Sequence, residues 1–168
     1  MYGNKKKILF VCLGNICRSP MAEEILRVKA REAGIEVEVD SAGLIDYHEG
    51  ELPDSRMRRQ ARIHGYELCH HSRPVTADDF HQFDVIVGMD SNNINRLLRL
   101  APDAESRSKI VLATQYIRNH DAKSVPDPYY GNENDFEYVI ILLEDMADGL
   151  LEEAILNHPR RSPLQLLP

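Results

Sequence analysis

A cysteine and an arginine separated by five residues stand at the end of an apolar run. The string is Cys-Leu-Gly-Asn-Ile-Cys-Arg, from Cys12 to Arg18. Five intervening residues can curl so that successive backbone N–H groups converge on one point, and a following helix N-terminus adds partial positive charge. Such a nest binds phosphate and favours the charged form of a thiol. The string therefore predicts a phosphate-binding loop that carries a sulfur nucleophile.

The other residues of this string fit the same loop. Gly14 permits a positive φ angle, and Asn15 is among the few other residues that tolerate one. Arg18 can bind two phosphoryl oxygens in bidentate fashion, which a lysine cannot do. Ser19 is placed to donate a hydrogen bond to the sulfur. A lone Cys-x5-Arg pattern would more often be a buried cysteine and an exposed arginine, but the preceding strand, the glycine and the following Ser-Pro favour the functional interpretation.

An aspartate between two prolines is the candidate general acid. Pro126 and Pro128 restrict the chain, and Pro128 favours extended geometry at Asp127. A rigid loop can hold one carboxyl group over the phosphate, where it could protonate a departing phenolate. Without the cysteine loop, a surface turn would explain the same Pro-Asp-Pro sequence equally well.

Aromatic and apolar side chains are the candidate substrate contacts. Tyr47, Tyr129 and Tyr130 could stack beside an aromatic ring and form a slot that a short phosphoserine could not bridge. They could instead be half-buried packing residues. Ile16 offers an apolar contact within the loop, which suits a phenyl ring.

The remaining cysteines and histidines carry weaker signals. Cys17 could form a reversible disulfide with Cys12, or it could be a small buried apolar residue. The adjacent residues Cys69, His70 and His71 cannot easily converge on one ion, so we expect no metal and no cofactor.

Three cysteines without a recognisable export signal favour a reducing, cytoplasmic compartment.

Size and charge limit the function further. The net charge of −7 repels nucleic acid and anionic membranes, so an anionic substrate needs a local binding site. No apolar stretch approaches the roughly 20 residues of a membrane-spanning helix. We expect one domain over residues 1–157 and a loosely held, proline-containing tail over residues 158–168.

Strands and helices alternate along the chain. Apolar and alternating runs predict strands over residues 7–12, 36–41, 84–89 and 109–113, and helical spacing predicts helices over residues 20–34, 53–63, 92–100 and from 134 onward. Asn134 and Glu137 resemble the capping box of the last helix. The alternation predicts an α/β fold, a parallel sheet with helices on both faces, with ligands bound at the carboxyl ends of the strands.

Two long segments resemble the low-molecular-weight protein tyrosine phosphatases. The first is VCLGNICRSPMAE, from Val11 to Glu23, and the second is DPYYG, from Asp127 to Gly131. The segments 40–43, 71–73 and 83–90 also resemble the family, in the family's order. The resemblance implies a single-domain, four-stranded parallel sheet flanked by helices. It also implies that phosphotyrosine is hydrolysed through a cysteinyl-phosphate intermediate without a metal.

The resemblance also implies roles for individual residues. Cys12 is the expected nucleophile, Arg18 the expected transition-state ligand and Asp127 the expected acid. The residues expected to fix the loop are Asn15, Ser19, Ser41 and His71. The expected substrate-binding residues are Leu13, Gly14, Asn15, Ile16, Cys17, Ser19, Tyr47, Tyr129 and Tyr130. Leu44, where many members have threonine, and Pro126 depart from the family pattern.

Three alternatives stay open at this point. An arsenate reductase needs further cysteines to relay a disulfide, and only Cys69 lies beyond the loop. Family members that resemble phosphoarginine phosphatases carry threonine at the position of Ile16, so the isoleucine favours phosphotyrosine over phosphoarginine. A regulatory module without turnover would not need both Cys12 and Asp127. The expected partner is a protein that carries phosphotyrosine, for which a tyrosine kinase is one candidate, and the expected assembly is a monomer or a weak dimer.

Overall fold

The computed structural model describes residues 5–155. Its four strands are β1 (Lys6–Cys12), β2 (Val37–Gly43), β3 (Val85–Gly88) and β4 (Ile110–Leu112). They form one sheet in the order β2-β1-β3-β4, and every neighbouring pair is parallel. The α/β fold with a four-stranded parallel sheet is therefore confirmed. The predicted tail, residues 158–168, and the domain boundary at 157 lie outside the described residues.

Helices cover both faces of the sheet. They are α1 (Arg18–Glu32), α2 (Ser55–Ile63), α3 (Asp79–Gln82), α4 (Ser91–Leu100), α5 (Ala104–Ser108) and α6 (Glu133–Leu150), with a 3-10 turn at Ala113–Tyr116 and a π-helical turn at Leu151–Ile155. None of the helices between residues 5 and 155 is long and apolar enough to cross a bilayer.

The central strand β1 connects two hydrophobic cores. Ile8 and Phe10 pack into the larger core with α1, α2 and α6, whereas Leu9 and Val11 pack into the smaller core with α3 and α4. Successive side chains of a strand point to opposite faces, so a strand that is apolar at every position must be covered on both sides. This double burial is the reason that the continuous apolar run forms the centre of the sheet.

The boundary of the last helix differs from the sequence-based prediction. The capping box is formed by Asn132 and Asp135, not by Asn134 and Glu137. The Asn132 side chain accepts hydrogen bonds from the N–H groups of Asn134 and Asp135, and Asp135 accepts one from the Asn132 N–H. The short helices α3 and α5 were not predicted, because four or five residues are too few to show a helical period.

Three strand ends form the edge of the sheet at which the site lies. β1 ends at Cys12, β2 at Gly43 and β3 at Gly88, and their chain segments continue from the same edge because the strands are parallel. The loop after β1 is held by the segment after β2, where Leu44 N donates to the carbonyl oxygens of Cys12 and Leu13. The fold therefore brings residues that are far apart in sequence to one surface.

Candidate active site

The loop from Cys12 to Arg18 makes its tight turn at an asparagine. Asn15 has a φ angle of 57°, whereas Gly14 is not among the residues with positive φ, so the glycine is needed for a different reason than the one predicted. A Cβ atom at Gly14 would lie 3.1 Å from Cδ2 of His48. Gly14 thus permits a close approach, and Asn15 supplies the left-handed conformation that few side chains tolerate.

The sulfur of Cys12 lies at the base of this loop. The side chain is 3% exposed, and its Sγ is 3.0 Å from Oγ of Ser19 and 3.4 Å from the backbone N of Ser19. Ser19 is in the first turn of α1, so the sulfur also faces a helix N-terminus. The Ser19 N–H and the helix N-terminus both direct partial positive charge at the sulfur.

Asn15 holds the loop through all four hydrogen bonds that its side chain makes. Its Oδ1 accepts from the backbone N of Arg73 and lies 3.0 Å from Nε2 of His70. Its Nδ2 donates to Oγ of Ser19 at 2.8 Å and to Oγ of Ser41 at 3.0 Å. The Arg73 N–H can only donate, so it must face the oxygen of the Asn15 amide group. This contact fixes which way the side-chain amide of Asn15 is turned.

This orientation determines where the Ser19 proton points. Ser19 Oγ accepts a hydrogen bond from Asn15, so its own O–H is free to donate to Sγ of Cys12. Ser41 Oγ also accepts from Asn15 and donates to Oε1 of Glu23 at 2.8 Å. The network therefore points one hydroxyl donor at the sulfur.

The histidine that supports the loop is His70, which corrects the prediction of His71. His71 is exposed, whereas His70 is mostly buried and contacts Asn15 through Nε2. On its other side, Nδ1 of His70 lies 3.2 Å from Glu23 and 3.6 Å from Asp40. Only one of two adjacent histidines can face the loop, and the local sequence does not show which one does.

Glu23, Asp40 and His70 form a compact cluster behind the loop. Their potential ligand atoms lie within 4.8 Å of one another. Two arginines already occupy the carboxylates: Arg27 binds Glu23 at 2.7 Å, and Arg73 binds Asp40 at 3.0 Å. The cluster is therefore a network of ion pairs around His70, and its visible effect is to fix Asn15.

Arg18 is almost completely buried at the other end of the loop. Its Nη1 donates to Oδ2 of Asp90 at 2.7 Å and to the carbonyl oxygen of Val125 at 3.1 Å. Burial by itself would lower the pKa of the guanidinium, but the charges of Cys12, Asp90 and Asp127 raise it above its ordinary value. Arg18 is thus a fixed cation beside the sulfur.

Asp127 lies on the loop that approaches the site from the opposite side. Its Oδ2 is 3.7 Å from Nη2 of Arg18, and its Oδ1 accepts a hydrogen bond from the backbone N of Tyr129. The start of this loop is fixed by a hydrogen bond from Val125 N to the carbonyl oxygen of Met89 at the end of β3. The structure thus brings Cys12, Arg18 and Asp127 together.

A cleft of about 370 Å³ leads to the loop. Apolar and aromatic side chains from three segments line it, and they include the predicted substrate-binding residues Leu13, Gly14, Ile16, Tyr47, Tyr129 and Tyr130 together with Asp127. Tyr47 is 81% exposed and Tyr130 is 96% exposed, so neither is a packing residue. Tyr129 lies under the guanidinium of Arg56, which is 5.4 Å from its ring centre.

Cys17 is a buried residue of the loop, and neither Cys17 nor Cys12 forms a disulfide. Burial raises the pKa of the Cys17 thiol, and the charges of Asp54 and Cys12 raise it further. Burial in the core therefore favours the protonated form of this thiol. The reversible disulfide with Cys12 stays a prediction.

Sequence analysis missed four residues of the site, which are Glu23, His70, Arg73 and Asp90. Asp90 had a detectable signal, because it follows β3 directly and the carboxyl ends of parallel strands share one edge. Glu23 and Arg73 lie in segments that resemble the family, but no local pattern indicated their contacts with Ser41 and Asn15, because these contacts join distant segments.

Comparisons with known proteins agree with this geometry. A family model described as low molecular weight phosphotyrosine protein phosphatase matches residues 7–160. A low molecular weight protein-tyrosine-phosphatase of Streptomyces coelicolor is 40% identical over 86% of this chain and 91% of its own length. The human low molecular weight phosphotyrosine protein phosphatase is 40% identical over 89% of this chain and 96% of its own length.

Solved structures give the same result for the fold. A crystal structure of a protein tyrosine phosphatase from Entamoeba histolytica superposes with a TM-score of 0.88 at 40% sequence identity. The match covers 91% of this chain and 99% of that one.

Proposed function

The chain belongs to the low molecular weight phosphotyrosine protein phosphatase family, and on this premise we propose that it hydrolyses phosphotyrosine on proteins. The observation that carries the proposal is the position of Arg18. This buried cation stands in the loop of Cys12 and is 3.7 Å from the carboxylate of Asp127. A nucleophile, a phosphate-binding cation and a carboxyl group that exchanges protons are thereby held in one site.

The first step transfers the phosphoryl group to the enzyme. The Cys12 thiolate attacks phosphorus, an S–P bond forms, and the bond between phosphorus and the phenolic oxygen breaks. The electron pair stays on that oxygen, which takes a proton from the carboxylic acid of Asp127. Arg18 and the backbone N–H groups of the loop bind the equatorial oxygens, where negative charge is concentrated in the transition state.

The second step releases inorganic phosphate. The Asp127 carboxylate takes a proton from water while the water oxygen attacks phosphorus, and the S–P bond breaks. Sulfur leaves as a thiolate and receives the hydrogen bonds of the Ser19 hydroxyl and N–H. The enzyme returns to its starting state, so Asp127 acts once as acid and once as base.

The cleft supports phosphotyrosine as the substrate class. Three tyrosines line one cleft together with Leu13, Gly14 and Ile16 of the phosphate-binding loop. An aromatic ring attached to a phosphate in the loop would contact these side chains, whereas the short side chain of phosphoserine would not reach the tyrosines. Ile16, in the loop, offers an apolar contact to the ring. A phosphoarginine substrate would bring a polar guanidinium against the same side chain, which would leave its donors without a partner.

The proposed mechanism also limits the cellular compartment and the partners of the enzyme. Turnover requires Cys12 as a free thiolate, so the activity belongs in a reducing compartment, and we place it in the cytoplasm. The substrates are phosphoproteins, and a tyrosine kinase is one candidate. Residues 1–157 would form the phosphatase domain.

A direct assay tests the proposal. Peptides of one sequence that differ only in carrying phosphotyrosine, phosphoserine or phosphoarginine are compared, with Cys12→Ser as the control for contaminating activity. We expect phosphate release from the phosphotyrosine peptide alone and none from Cys12→Ser. Preferred hydrolysis of phosphoarginine, or arsenate reduction with no phosphatase activity, would contradict the proposal.

A further inference from the structure

A second cleft, of about 290 Å³, lies on the other side of the phosphate-binding loop. Arg18 and Asp90 line it where it meets the loop, and Arg96 and Arg99 of α4 line it farther out. Leu13, which is 38% exposed, lines both this cleft and the tyrosine-lined one. The two clefts therefore meet at a single loop residue.

The two outer arginines have no anionic partner in the part of the chain that the structure describes. The side chain of Arg96 makes no hydrogen bond or ion pair with any of residues 5–155, although the residue is partly buried. The side chain of Arg99 donates only to the carbonyl oxygen of Asn95 in its own helix, at 3.4 Å. The carboxylate that lines the cleft, Asp90, is occupied by Arg18 and by the N–H of Asn93.

The spacing of α4 directs these side chains towards the active site. Residues 92, 95, 96 and 99 recur at helical intervals of three and four, so Asn92, Asn95, Arg96 and Arg99 share one face. Side chains on a helix lean towards its N-terminus, and here the N-terminus is Asp90, the partner of Arg18. At a rise of about 1.5 Å per residue, Arg96 begins about 9 Å along the axis from Asp90.

An extended substrate segment can reach this distance. Each residue of an extended chain advances about 3.3 Å, so a side chain two or three residues from the phosphotyrosine would lie across Leu13 beside Arg96. The protein carries a net charge of −7, so attraction of an acidic segment must come from a local group of cations. Arg96 and Arg99 are such a group.

We propose that this cleft is an anion subsite, which makes the enzyme prefer substrates with an acidic group two or three residues from the phosphotyrosine. The inference rests on the proposed function and specifies its substrate class. The acidic group is a carboxylate or a second phosphate, because a guanidinium binds the oxygens of either one in the same planar geometry.

The test compares kcat/KM for phosphotyrosine peptides that differ at one flanking position. Glutamate, glutamine or phosphoserine is placed two or three residues before or after the phosphotyrosine, and p-nitrophenyl phosphate, which has no flanking group, reports on the phosphate site alone. We expect the best acidic position to exceed its glutamine counterpart by about three- to tenfold in wild type. The phosphoserine arm shows which source of anion is preferred.

Variants then assign the preference to the arginines. Arg96→Gln should bring the ratio of acidic to neutral peptide close to one, and Arg96→Glu should make a peptide with lysine at that position the better substrate. Arg107→Gln, which removes one charge from the exposed helix α5, is the matched control and should keep the wild-type ratio. The preference should also weaken at high salt.

The possible results distinguish failure of the anion subsite from failure of the proposed phosphatase activity. Equal hydrolysis of acidic and neutral peptides by wild type would overturn the subsite and leave the phosphotyrosine activity standing. A uniform loss on all substrates, p-nitrophenyl phosphate included, in Arg96→Gln would also overturn it, because it would show that Arg96 supports the loop or the fold. Absence of hydrolysis of every phosphotyrosine peptide by wild type would overturn both proposals.

Discussion

Arg18 Nη1 donates a hydrogen bond to Oδ2 of Asp90 across 2.7 Å, and this contact joins the segments that follow the neighbouring strands β1 and β3. The other oxygen of the same carboxylate accepts the N–H of Asn93 and so caps α4. One side chain thus orients the phosphate-binding cation and begins the helix that lines the second cleft.

Replacement of this carboxylate should affect both catalysis and stability. In Asp90→Ala the guanidinium loses its charged partner, and we expect kcat/KM on p-nitrophenyl phosphate to fall about 10- to 100-fold. Loss of the helix cap should lower the free energy of unfolding by about 1 kcal/mol. Steady-state kinetics and urea unfolding on the same preparation measure the two effects.

Asp103→Ala is the matched control, because Asp103 caps α5 through Ser106 N in the same way but is not part of the site. It should lower stability and leave kcat/KM as in wild type. If the two variants reduced activity equally, loss of a helix cap alone would explain the effect of Asp90, and its role as a partner of Arg18 would be wrong.

The role of Asp127 predicts a dependence on the leaving group. A tyrosine phenol has a pKa of about 10 and leaves slowly unless it is protonated, whereas more acidic phenols leave without help. We expect Asp127→Ala to reduce phosphorylation of the enzyme strongly with phenyl phosphate and much less with p-nitrophenyl phosphate. Single-turnover rates for a series of aryl phosphates check this. A loss of equal size for every leaving group would contradict the assignment.

The conformation of Asn15 predicts two separable effects. Asn15→Ala loses four hydrogen bonds and also leaves at a φ angle of 57° a side chain without the polar group that helps asparagine to tolerate this region, where strain costs about 1 kcal/mol. Asn15→Gly loses the same hydrogen bonds without the strain. We expect both variants to lose about 10- to 100-fold in kcat, with the glycine variant more stable by about 1 kcal/mol. Recovery of activity in the glycine variant would show that strain, not the network, limits function.

The buried thiol of Cys17 and the buried hydroxyl of Tyr66 predict a loss of stability at alkaline pH. Burial raises the pKa of the Cys17 thiol, and burial together with the hydrogen bond to Glu144 raises the pKa of the Tyr66 hydroxyl. In the unfolded chain these groups ionise near pH 8.5 and about 10. The folded state then binds more protons than the unfolded state, so stability is complete below about pH 8.5 and falls as the pH rises.

Urea unfolding at a series of pH values measures this slope. Cys17→Ala should reduce the fall above about pH 8.5, and Tyr66→Phe should reduce it above about pH 10. Tyr130→Phe is the control, because this tyrosine is 96% exposed and is solvated in both states. If neither Cys17→Ala nor Tyr66→Phe changed the slope of unfolding free energy against pH, these two groups would not be the cause of the alkaline loss of stability.

Much of the fold followed from local patterns in the sequence. The double burial of β1 was visible as an unbroken apolar run, and the first loop was visible because its residues are consecutive. The role of Asp127 was inferred from its flanking prolines and from the family resemblance of residues 127–131. The hydrogen bond from Val125 to Met89 that holds its loop joins distant segments and was not visible in the sequence.

The errors concern contacts that depend on side-chain direction. Local sequence did not distinguish His70 from His71, because the choice depends on which one faces Asn15 after the chain has folded. The positive φ angle was expected first at Gly14 and is found at Asn15, where the amide compensates for the strain through its hydrogen bonds. The pairing of Arg18 with Asp90 needed the parallel order of β1 and β3.

Trapping of the phosphorylated enzyme is the most direct test of Cys12 as the nucleophile. Asp127→Ala is mixed with p-nitrophenyl phosphate, quenched in denaturant at short times, digested and analysed by mass spectrometry. The first step should proceed because the leaving group is acidic, and the second should be slow because the base is missing. We predict that one phosphoryl group accumulates on the sulfur of Cys12. Release of p-nitrophenol with no phosphoryl group on the enzyme, or with one on another residue, would show that Cys12 is not the nucleophile.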